Sequence, residues 1–75
     1  MSETLQYTIV KSLEIAWDYL EATGELGNPD RAAQHLLGTI EAMILHGERR
    51  QLLLANKAIA SYQSLRAKWG LSIAS

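Results

Sequence analysis

Twenty residues in the middle of the chain, Asn28 to Gly47 (NPDRAAQHLLGTIEAMILHG), restrict its fold more than any other stretch, because a start signal, a stop signal and an apolar stripe coincide there. Asn28 offers a side-chain oxygen to the unpaired amides of a first turn. Pro29 has no amide proton to leave unsatisfied at the first helical position, and Asp30 complements the positive end of the helix dipole. At about 100° per residue, Ala32, Ala33, Leu36, Leu37, Ile40, Met43, Ile44 and Gly47 fall within an arc of roughly 140°. A helix with one apolar face needs partners, and the rest of the chain has to supply them.

Two further helical patterns do so. From Ser2, an expected N-cap followed by Glu3, to about Thr23, one face carries Leu5, Ile9, Leu13, Ala16, Trp17 and Leu20, with Val10 and Tyr19 at its edges. Thr23-Gly24-Glu25-Leu26-Gly27-Asn28-Pro29 then forms a loop, with Leu26 as a plug beneath it. After His46 and Gly47 the third pattern gathers Leu52, Leu54, Ala55, Ala58, Ile59, Tyr62, Leu65 and Trp69 within an arc of roughly 160°. Gly70 is its expected end. Helices at about 3–23, 29–46 and 49–69 joined by short loops predict one all-α domain over residues 1–75, a small antiparallel three-helix bundle. One alternative remains open. The stripes of the second and third helices stay in phase across Gly47, shifted by only about 50°. A helical hairpin with one long kinked helix over 29–69, dimerising into a bundle, fits the same pattern.

With 75 residues a single core is only marginally sufficient, which favours self-association. The chain has no cysteine, excluding disulfides and thiolate metal sites, and the cytosol is the expected compartment. No charged-then-apolar leader and no apolar run of about 18 residues points to a signal or a membrane span. The net charge of −1 supplies no global field for nucleic acid or anionic lipid.

No catalytic constellation is visible, so no enzyme and no cofactor is expected. His35 and His46, eleven residues apart on one helix, are separated by about 16 Å, too far to share a metal ion. They read as rim and helix-end residues. Glu14, Asp18 and Glu21 read as a solvated face of the first helix, since a cation site needs oxygens converging from several directions. Five of the seven basic residues, Arg49, Arg50, Lys57, Arg66 and Lys68, lie in the third helical segment. Arg49 and Arg50 oppose the dipole of a helix starting there, so pairing with Glu41 or Glu48, or binding of an anion, is expected. Arg50, Lys57 and Lys68 line one flank, and the acidic stripe of the first helix is expected to face them. The alternative function, nucleic-acid binding through a helix-turn-helix-like third helix, would use Arg49, Arg50, Lys57 and Lys68 with Gln51 and Asn56.

A second set of residues points to a protein partner. Leu53, Ala60 and Ala67 recur every seven residues away from the main stripe, and Leu71 extends the line. Gly38, Ala42 and Leu45 form a similar strip on the second helix, and Tyr7 and Ile15 stand off the stripe of the first. A glycine inside a helix costs about 1 kcal/mol relative to alanine, so Gly38 suggests a close approach. The expected function is that of a small helical protein–protein interaction module, acting as a homodimer or with another protein, with interface candidates Gly38, Ala42, Leu45, Leu53, Ala60 and Ala67.

Overall fold

The computed structural model describes the backbone of residues 4–74 and the side chains of residues 4–69. Three helices follow in order: α1, Leu5–Ala22; α2, Pro29–Leu45; and α3, Gln51–Ala74. Every pair of helices is in contact, giving the three-helix bundle the sequence predicts. The chain is broken at Gly47, whose φ of +98° lies in the left-handed region that a side chain disfavours, so the continuous 29–69 helix is not formed.

α2 begins as its sequence dictates. The Asn28 side chain accepts the Arg31 amide at 3.2 Å, and Pro29 occupies the first turn. Its buried row is Ala32, Leu36, Ile40 and Ile44, one residue per turn. Gly47 falls outside this stripe, exposed in the turn.

α1 differs from expectation at its start and along its inner face. Thr4 is the N-cap, its hydroxyl accepting the Tyr7 amide at 3.0 Å; Ser2 and Glu3 lie outside the described residues. The buried row is Thr8, Ser12, Ala16 and Leu20 rather than one led by Leu5 and Ile9. Small side chains at 8, 12 and 16 let the neighbouring helices come close, while Ile9 and Leu13 on one side and Ile15 on the other pack at the edges. Ile15 is thus partly buried against the core rather than turned away from it. Burial of Ser12 leaves nothing unsatisfied, since its hydroxyl donates to the Thr8 carbonyl at 2.7 Å. Leu5 stands half exposed at the end of the bundle.

α3 supplies Leu54, Ala55, Ala58, Ile59 and Tyr62 to the core, with Leu65 and Trp69 packed against it. It starts at Gln51, not 49, and runs through Gly70 to Ala74. A glycine in a helix interior costs only about 1 kcal/mol, and no proline follows to enforce a stop. Leu52, expected in the core, is instead 68% exposed at the first turn, where the bundle ends.

The ring of Tyr62 sits at the centre of the α2–α3 seam, 5.8 Å from the ring of His35 and edge-on to Trp69 at 6.4 Å. Arg31 lies over the Trp69 ring at 5.3 Å. Leu26 packs against the core as the plug its position suggests. The Tyr62 hydroxyl donates to the Leu26 carbonyl and the Arg66 guanidinium to the Glu25 carbonyl, while Gln63 donates to the Glu25 carboxylate at 3.1 Å. Three side chains of α3 thereby hold the α1–α2 loop.

Candidate interaction surface

Two strips of α2 and α3 face away from the core. Gly38, Ala42 and Leu45 are exposed along α2, Leu45 to 86%. Gly38 leaves open space, because a Cβ built on it would meet nothing within 4 Å. Among the described residues no contact therefore uses its missing side chain. Along α3, Ala60 and Ala67 are exposed and Leu53 is half-buried, whereas the side chain of Leu71 lies outside the described residues. Tyr7 on α1 is also exposed.

Between the strips runs the α2–α3 seam, where His35 Nε2 and Ser61 Oγ share a hydrogen bond of 2.8 Å. A shallow groove of about 500 Å³ opens at its end, lined by Ala42, Met43, His46, Gly47, Glu48 and Lys57. His46 closes α2: its Nδ1 donates to the Ala42 carbonyl at 2.9 Å, the carbonyl being able only to accept. Both histidines thus occupy the positions foreseen for them, seam and helix end. Among the described residues no group of three or more His, Asp or Glu could hold a metal ion.

Around the start of α3, a second groove of about 570 Å³ brings Leu53 together with Arg49, Arg50, Gln51, Leu52 and Asn56. The two arginines are already engaged in the turn. The Glu48 carboxylate accepts the Arg50 amide at 3.0 Å, the Arg49 amide at 3.1 Å and the Arg50 guanidinium at 3.0 and 3.2 Å. The Arg50 guanidinium first, then the Arg50 amide, lower the Glu48 pKa from 4.5 to about 2. Arg49 donates to the carbonyls of Ile44 at 2.7 Å and of Glu48 at 2.9 Å, placing a cation at the negative end of α2. Of the two acids expected to compensate, Glu48 is the one that pairs.

Lys57 and Lys68 remain exposed. The α1 acids do not pair with them. Among the described residues the ion pairs are Lys11 with Glu14 at 3.5 Å and Arg50 with Glu48, both local in sequence. Lys57 lines a groove with α2 residues, so the basic flank faces α2, while Glu14, Asp18 and Glu21 lie opposite the buried row of α1.

Nothing in the local pattern marks Tyr62, Gln63 and Arg66 of α3 as anchors of the loop. Their partners lie 36 to 41 residues away, beyond the reach of any periodicity. Compared with protein-family models, curated proteins and solved structures, the chain gives no match.

Proposed function

We propose that this chain is a small helical protein–protein interaction module that associates with itself through the outward strips of α2 and α3. The observation that carries the reading is Leu45, 86% exposed beside Ala42, on a helix whose Gly38 opens onto empty space. Apolar side chains left in water on a chain with so small a core favour association, and small neighbours permit a close helix approach. Arg49 and Arg50 already have partners in the turn, which weighs against their use as phosphate contacts and favours a protein partner over nucleic acid.

Leu45→Glu combined with Ala60→Glu tests this. Both positions are exposed, so helicity by circular dichroism should persist while the associated form falls to a single chain. An assembly unchanged by the two carboxylates would remove this surface from consideration.

A further inference from the structure

We propose that the turn at residues 46–50 is a hinge across which two copies of the chain can exchange α3. Such exchange does not depend on association through the outward strips.

The closed hairpin and the opened one use the same apolar stripe. Continuing the helical count of α2 through the turn, Ala32, Leu36, Ile40 and Ile44 run on into Leu54, Ala55, Ala58, Ile59 and Tyr62 with a phase shift of about 50°. A continuous helix over 29–74 would therefore remain amphipathic over about 69 Å. The hairpin folds about residue 48, midway between His35 and Ser61. Two such helices crossing antiparallel at residue 48 reproduce that pairing between chains, with each α3 returned to the α1–α2 pair of the other copy. The Tyr62, Gln63 and Arg66 contacts to the α1–α2 loop re-form in the same way. Exchange thus leaves the core contacts unchanged and alters only the turn, which is the condition under which exchange costs little.

The bonds that close the turn are local in sequence, among them the Gly47 amide to the Ile44 carbonyl at 2.9 Å and the Glu48 amide to the Met43 carbonyl at 3.0 Å. Gly47 adopts φ +98°, and Glu48 and Arg49 close it with bonds no more than five residues long. Leu45 and Leu52, 86% and 68% exposed on either side, are seven residues apart and would share one face of a continuous helix.

Gly47→Ala disfavours the left-handed turn and favours the helix, so the dimer–monomer equilibrium constant should rise roughly tenfold or more. Light scattering reads this directly. To show how the copies are joined, His35→Cys and Ser61→Cys are introduced and linked by a short bismaleimide, no other cysteine being present. The expected result is a link within one chain when Gly47 is retained and between chains with Gly47→Ala. A Gly47→Ala protein of single-chain mass overturns the proposal. So does a dimer whose links stay within each chain, an outcome that leaves association through the outward strips intact. If Gly47→Ala loses its helical signal, Glu48→Ala with Arg49→Ala, which unlocks the turn without backbone strain, decides by the same readout.

Discussion

The two connections of this bundle are built on opposite principles. The α1–α2 loop is held from outside: Tyr62, Gln63 and Arg66, all on α3, bind Glu25 and Leu26 across 36 to 41 residues of sequence. The α2–α3 turn is held from within, by Glu48, Arg49 and Arg50 acting on groups one to five residues away. A loop tied down by a distant helix can let go only if that helix moves. A self-closed turn can open while both helices stay formed. Substitutions at the first should therefore lower the stability of the whole bundle, and those at the second should act on the hinge.

The largest effect is expected at Tyr62, fully buried and in contact with both the loop and the α2 seam. Tyr62→Ala removes an aromatic side chain from the core and should cost about 3–5 kcal/mol by chemical denaturation, enough to unfold a chain this small. Tyr62→Phe keeps the ring and loses only the bond to the Leu26 carbonyl, for about 1 kcal/mol. Gly27→Ala falls between these two. Gly27 has φ +66°, and an added Cβ would stand 3.4 Å from the Tyr62 hydroxyl, so about 1–2 kcal/mol is expected from backbone strain. Equal losses from Tyr62→Phe and from Glu48→Gln, measured at pH 7, would erase the contrast between the two connections.

The smallest effect belongs to Glu48, exposed to salt screening. Its pKa is lowered to about 2 in the fold from 4.5, so its contribution is fully present above about pH 4.5 and is lost as pH falls toward 2. Wild type and Glu48→Gln should differ in melting temperature at pH 6 and converge near pH 2, with the gap shrinking in high salt. A gap that stays constant across that range would mean the carboxylate charge is not what holds the turn.

How far the sequence disclosed this depends on how local each determinant is. Asn28, Pro29 and the row 32, 36, 40, 44 make the start and buried face of α2 legible, and Gly47 marks the break, although it lies outside the stripe. Each signal lies within a few residues of what it controls. On α1 the apolar pattern finds Ala16 and Leu20 and the flanking Ile9, Leu13 and Trp17 but not Thr8 and Ser12, because hydropathy ranks Leu5 above them whereas close helix packing selects the smaller side chains. α3 starts two residues later than its apolar pattern suggests, since the cap there is the carboxylate of Glu48 reaching forward to two arginine amides. It also continues past Gly70, because a lone glycine is too weak a signal to end a helix. On the candidate surface, the exposure of Gly38, Ala42, Leu45, Ala60 and Ala67 follows from helical spacing alone. Leu53 is more enclosed than spacing suggests, set in a groove with Arg49 and Arg50. The expected facing of α1 acids and α3 bases failed because net charge along a helix does not say which neighbour its flank meets.

Self-association is the central claim, and molar mass by light scattering over a wide concentration range tests it most directly. A mass of two 8.3 kDa chains that gives way to one chain only on dilution is expected, with Leu45→Glu and Ala60→Glu moving that point to higher concentration. A mass of 8.3 kDa at every concentration would contradict it.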